Sequence, residues 1–180
     1  HRIVDEDENG YVLCGDNQWN REYGIKESQI IAVLDSVERK GKTLATAESC
    51  TGGTIASMIT AIPGASAVFK GSVVSYATSV KEEILGVSRE SIEKHTVVSQ
   101  EVVEEMALGV KKLLSVDYAV ATTGIAGPDG GTDENPVGTV WIAVASPEGV
   151  TSKKCNFGKD RDNNIHRAAV TALDMLRKVL

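Results

Sequence analysis

One stretch constrains the fold of this 180-residue chain more than any other: Thr43-Leu44-Ala45-Thr46-Ala47 running into Glu48-Ser49-Cys50-Thr51-Gly52-Gly53. The apolar run reads as a buried strand, and residues 54–61 read as a helix with small residues on its inner face. A strand that turns sharply into a helix at a hydroxyl residue and two glycines is a site-building unit. First-turn N–H groups of such a helix lack intrahelical partners and carry the positive end of the macrodipole. Glycines let an anion or a carbonyl oxygen approach that backbone, so Gly52 and Gly53 are candidate binding positions. Serine is also a common helix cap, and on this stretch alone a cap is the plainer reading of Ser49.

The bulk of the chain sets outer limits. Its length suits one domain, or one domain plus an extension, and an apolar share of 42% supplies a core. Nineteen basic against 25 acidic residues leave a net charge of −6, and no basic stripe points to nucleic acid. No apolar run approaches membrane-spanning length, so no membrane partner is expected. Cys14, Cys50 and Cys155 are odd in number and lack metal-ligand spacing. Reduced thiols and the lack of a visible signal peptide suggest a cytoplasmic protein.

Residues 1–24 differ from the rest, with the acidic run Asp5-Glu6-Asp7-Glu8 and an Asn9-Gly10 turn signal. They read equally as a small hairpin, a solvated arm or the tail of a preceding segment. Residues 25–180 form the second unit. Helical spacing covers 27–40, with Ile30, Ile31, Leu34 and Val37 on one face. Strands follow at 69–76, 118–123, 137–146 and 151–156, the last two joined at Pro147-Glu148-Gly149. Helices are expected at 79–85 and 88–94, after Ser99, and over 161–180. Alternating strands and helices ending in a hairpin predict a three-layer α/β/α sandwich with a mixed sheet and glycine-rich ligand loops.

Ligands in open α/β sheets bind beyond the carboxyl ends of the strands. Three strands here end in polar or glycine-rich loops, at Ser49, at Tyr76 and at Thr123-Gly124. Side by side, they would gather a hydroxyl, a phenol and a second hydroxyl. Lys81 follows Tyr76 by five residues and can turn back to the same rim. A buried lysine loses its proton readily and can serve as a base toward serine, although most lysines are solvated ammonium groups. Tyr76 alternatively packs in the core, and Thr123 alternatively satisfies a loop amide. Glu48 either orients its neighbours or caps backbone amides. His95 and His166 sit among polar residues and read as solvated. Arg161 opens the last helix after Phe157-Gly158 and fits a phosphate clamp or a surface pair with Asp160 or Asp162.

Six ordered stretches resemble one family: the carboxy-terminal domain of competence/damage-inducible protein CinA, also found alone as nicotinamide-nucleotide amidohydrolase. They are Ala47 through Gly53, Ile62-Pro63-Gly64-Ala65-Ser66, Tyr76 through Gly86, Val98-Ser99, Thr123 through Gly138, and Phe157-Gly158 with Arg161. The resemblance implies hydrolysis of the carboxamide of nicotinamide mononucleotide, a small-molecule substrate, to nicotinate mononucleotide and ammonia. It implies Ser49 as nucleophile, Lys81 as its base and Tyr76 in the same hydrogen-bond network. Ser66 and Thr123 become supporting hydroxyls, and Arg161 the phosphate ligand. Amides around Gly52 and Gly53 would stabilise the oxyanion, by the helix physics above. No metal and no other cofactor is implied, and a homo-oligomer, dimer or larger, is. Thr78 departs from the family's asparagine, and residues 1–24 have no counterpart in that domain. The alternative is a nucleotide-binding regulatory module, tied to competence or DNA damage, that does not turn over.

Overall fold

The structure, a computed structural model, describes the backbone at residues 2–7, 10–14, 21–23 and from 27 to 180, with side chains from residue 28. The amino-terminal segment holds strands β1 (Arg2–Asp7), β2 (Gly10–Cys14) and β3 (Arg21–Tyr23) in an antiparallel sheet of that order. This is the hairpin alternative extended by one strand; Asn9 of the expected turn lies outside the described residues.

The main unit opens with helix α1 (Glu27–Arg39), which leads into strand β4 (Leu44–Glu48) and helix α2 (Thr54–Thr60). A 3₁₀ turn at Ala65–Ala67 precedes strand β5 (Phe69–Val74). Helices α3 (Thr78–Glu83), α4 (Arg89–His95) and α5 (Gln100–Leu113) then carry the chain to strand β6 (Tyr118–Gly124). Strands β7 (Thr139–Ser146) and β8 (Gly149–Asn156) form the closing hairpin, and α6 (Arg161–Val179) ends the chain. The expected elements are present with shifts of a few residues at their ends. Ser88 and Ser99 cap α4 and α5, each hydroxyl accepting from an N–H three residues on.

Strand order is β5-β4-β6-β7-β8, parallel across β5, β4 and β6 and antiparallel at β7 and β8. The mixed α/β sandwich expected from the sequence is therefore the fold. Its two faces are unequal. Leu44, Tyr118, Val120, Val140, Ile142 and Val144 point into a cluster with α1, α2 and α6. Their strand neighbours Ala45, Ala47, Ala119, Ala121, Ala143 and Ala145 point the other way, against Val102, Val103, Met106 and Val110 of α5. Period-two alternation thus sorts large side chains to one layer and methyl groups to the other. One residue assigned to a buried helix face falls outside it: Ile31 is exposed, while Val33 takes the core position in α1.

The chain runs from β4 to β5 on one side and later returns to β6 on the other. Adjacent connections leave the sheet on opposite sides at such a switch point and open a crevice at the strands' carboxyl ends. Register sets Glu48 beside both Val74 and Thr122 at that edge.

Candidate active site

Ser49 is the first residue past β4, and its backbone is stitched to both neighbouring strands. Its N–H donates to the Thr122 carbonyl at 3.0 Å, and the Ser75 N–H donates to the Glu48 carbonyl at 2.8 Å. The chain then turns through Gly52 and Gly53 at φ 59° and 100°, left-handed values that glycine adopts without strain. Ser49 does not cap α2. Gly53 occupies the cap position and offers no side chain, and the Glu48 carboxylate does the capping instead. One of its oxygens accepts from the N–H groups of Gly53 at 3.1 Å and Ile55 at 3.0 Å, the other from Ala56 at 2.8 Å.

This corrects the expected oxyanion site. The Gly53 amide is spent on Glu48, and the Gly52 amide donates to the Ser49 carbonyl at 3.1 Å. Neither glycine lines the cleft at Ser49. Their contribution is the sharp turn that carries the chain from strand to helix.

That cleft has a volume of about 290 Å³ and brings together Ser49, Lys81, Tyr76, Thr123, Gly124 and Arg161. The side chain of Lys81 returns from α3 to the rim and is 2% exposed. Its Nζ lies 3.1 Å from Ser49 Oγ, 2.6 Å from the Ser75 carbonyl oxygen and 3.5 Å from that of Tyr76. Burial lowers its pKa below the ordinary lysine value, and among the described residues no carboxylate pairs with it to offset that effect. Cys50, beside the serine, is pushed up to about 12, chiefly by burial. It is therefore a neutral thiol over the range in which Lys81 titrates, neither a nucleophile nor a charge acting on the amine.

Tyr76 stands at the mouth of the cleft, 65% exposed. Its main-chain carbonyl meets Lys81, whereas its phenol makes no hydrogen bond among the described residues, so the expected network passes through backbone rather than ring. Thr123 is buried and donates to the Val97 carbonyl at 2.7 Å, drawing the segment before α5 over the cleft. A Cβ at Gly124 would come within 2.6 Å of the Thr139 carbonyl and 2.8 Å of Val140 Cα, so β7 demands this glycine. Ser66 is not in the site. It sits on the 3₁₀ turn beside Pro63, Gly64 and Phe69, at the edge where the Leu44 N–H meets the Val68 carbonyl. That edge is the amino end of the strands, and α2 runs between it and Ser49.

Arg161 lines the far side of the cleft and donates to the Gly127 carbonyl at 2.6 Å. Asp160 is occupied capping α6 through the Asn163 N–H, at 2.8 Å. Asn164, absent from the expected set, is fully buried one turn further on. Its amide nitrogen donates to the carbonyls of Ala126 at 2.9 Å and Gly158 at 3.0 Å. One helical turn thus grips consecutive carbonyls of the glycine-rich loop. Asparagine in a helix's first turn, where an alanine would serve the helix better, was the available sign. Thr78 and Asp129 also line the cleft. Among the described residues no group of three or more His, Cys, Asp or Glu could hold a metal ion, and no helix is long and apolar enough to cross a membrane.

Comparison with known proteins gives this arrangement its context. The family model of the CinA C-terminal domain matches residues 27–180. A CinA-like protein of Flavobacterium psychrophilum is 50% identical over 157 residues, covering 86% of this chain and 38% of the relative. A CinA-like protein of Fervidobacterium nodosum is 51% identical over 146 residues, covering 81% and 36%. The chain therefore spans less than two fifths of the length of these relatives. The crystal structure of competence/damage inducible protein CihA from Agrobacterium tumefaciens superposes with a TM-score of 0.83 at 36% identity, covering 85% of this chain and 94% of that one. A competence-damaged protein (CinA) superfamily protein from Escherichia coli gives 0.82 at 33% identity, covering 86% and 90%. The chain belongs to the CinA C-terminal domain family.

Proposed function

We propose that this protein hydrolyses the carboxamide of nicotinamide mononucleotide to nicotinate mononucleotide and ammonia by serine–lysine acyl transfer. The observation that carries the reading is the placement of Lys81 Nζ, 3.1 Å from Ser49 Oγ and beside two main-chain carbonyls. In its neutral form the amine gives its two protons to those carbonyls and turns its lone pair to the serine hydroxyl. Burial favours that neutral form.

The Ser49 oxygen attacks the amide carbon as its proton passes to Lys81. The carbon–nitrogen bond then breaks, and Lys81 returns the proton to the departing nitrogen, releasing ammonia. Water attacks the acyl-serine ester and gives one proton to Lys81, Lys81 passes it to the departing Ser49 oxygen as the ester bond breaks, and the product acid loses its remaining proton to solvent as the carboxylate. Arg161, with one of its five N–H groups on Gly127, keeps donors for the nucleotide phosphate across the cleft. Self-association into a dimer or larger assembly is part of this reading, and light scattering on the purified protein tests it.

Ammonia release from nicotinamide mononucleotide, measured with EDTA present, tests the reaction in wild type, Ser49→Ala and Lys81→Ala. Release by wild type alone supports the serine–lysine amidase. Nucleotide binding without release by wild type would leave a binding module.

A further inference from the structure

Glu48 is 0% exposed, directly precedes Ser49, and accepts five hydrogen bonds. Besides the three helix amides, its carboxylate takes the hydroxyls of Thr51 at 2.7 Å and Thr46 at 3.3 Å. Thr51 in turn lies 2.8 Å from the Thr122 hydroxyl. A threonine has one hydroxyl proton, so Thr122 donates to Thr51 and Thr51 donates to Glu48. The main chain of Glu48 completes the arrangement. Its carbonyl holds the Ser75 N–H, and the Ser75 carbonyl holds Lys81. One residue therefore ties β4, β6 and the start of α2 through its side chain, and the lysine-bearing segment through its backbone.

We propose that Glu48 is the positioning residue of the nucleophile, setting the Ser49 turn so that its hydroxyl meets Lys81. The inference rests on the amidase reading only in taking Ser49 as the nucleophile. A glutamine at this place keeps one acceptor oxygen and turns an NH₂ group against donors. The group facing it would be either the Thr46 hydroxyl and Ala56 amide, or the Thr51 hydroxyl with the Gly53 and Ile55 amides. The turn must then rearrange, and a misplacement near 1 Å costs a reacting pair about a hundredfold in rate.

The test measures how fast a fluorophosphonate probe labels Ser49, a readout independent of any amide substrate. In that reaction the serine oxygen–phosphorus bond forms, fluoride leaves, and the serine proton goes to Lys81. Wild type, Glu48→Gln and Thr51→Val are compared, with folding followed by circular dichroism and nucleotide binding by calorimetry. Glu48→Gln is expected to slow labelling about a hundredfold while binding of nicotinamide mononucleotide stays close to wild type. A merely structural role would lower stability without separating labelling from binding. Folded Glu48→Gln that labels at the wild-type rate overturns the proposal, as does loss of labelling and binding in equal measure. If Glu48→Gln does not fold, Thr51→Val decides: slower labelling with binding retained supports the proposal, and wild-type labelling overturns it. Wild type that labels at Ser49 but releases no ammonia defeats the substrate reading alone, and the labelling ratio still decides Glu48. Wild type that does not label at Ser49 overturns the positioning proposal.

Discussion

Lys81 Nζ and Ser49 Oγ face each other at 3.1 Å across the carboxyl ends of two parallel strands, with the amine shut away from water. Burial lowers the lysine's pKa, and its carbonyl partners bring no negative charge to offset that effect. Lys81→Ala is expected to lower kcat for amide hydrolysis about a thousandfold. Lys81→Arg should be no better, because guanidinium does not give up its proton. Steady-state ammonia release checks both.

The same burial predicts the pH profile. In the proposed mechanism the reaction requires the neutral amine, so kcat/KM should rise by about tenfold per pH unit up to the Lys81 pKa and then level. Burial lowers that pKa, so the limb bends below the ordinary lysine range. Cys50→Ala should leave the limb in place, since the thiol is neutral there. A stopped assay from pH 5 to 10 reads it.

Lys81 also affects stability, with a definite sign. Its folded-state pKa lies below the unfolded value, so the unfolded chain binds the proton more tightly. As pH falls from the unfolded lysine value of about 10.4, the unfolded state is protonated first and the fold loses stability. Lys81→Met should therefore melt higher than wild type at pH 7, and the gain should shrink toward pH 10. Calorimetry at the two pH values checks the trend.

Cys50 borders Ser49, the proposed nucleophile, but is held as a buried thiol. Cys50→Ala should keep kcat/KM within about threefold of wild type, and iodoacetamide at pH 8 should not inactivate. Rapid inactivation by that reagent, absent in the variant, would contradict the assignment.

Asn164→Ala frees the carbonyls of Ala126 and Gly158 and loosens the loop that Arg161 also grips. Leaving such buried groups unpaired costs about 1–3 kcal/mol of stability. The KM for a phosphorylated substrate should rise about tenfold with kcat little changed, the mark of lost binding common to ground and transition states. Kinetics on the folded variant check the split.

Much of this was legible in the chain. Apolar runs, turn residues and capping serines marked the strands and helices, and their alternation marked the α/β class, whereas the strand order is set by packing. Ser49, Lys81 and Arg161 were legible because strand ends and a helix start define the rim. Other features depend on where side chains point. The sequence offered capping of amides as one of two readings of Glu48; that it takes the α2 amides, displacing both the Ser49 cap and the Gly52–Gly53 oxyanion site, is set by contacts between strand and helix. Ser66 belongs to a separate stretch of the resemblance, Ile62 through Ser66, and is parted from Ser49 by the length of a helix. The exposed Tyr76 ring follows from its lying two residues beyond the end of β5, where the alternation that would bury it has stopped.

The carboxylate seated on α2 bears on what leaves the cleft as well as on what enters. Hydrolysis of an amide at Ser49, as proposed, would turn a neutral group into an anion there, where an open helix end would attract it. Here that end already carries a carboxylate of the protein's own. On the amidase reading, the newly made acid would meet no open helix end beside Ser49, which removes one source of product retention.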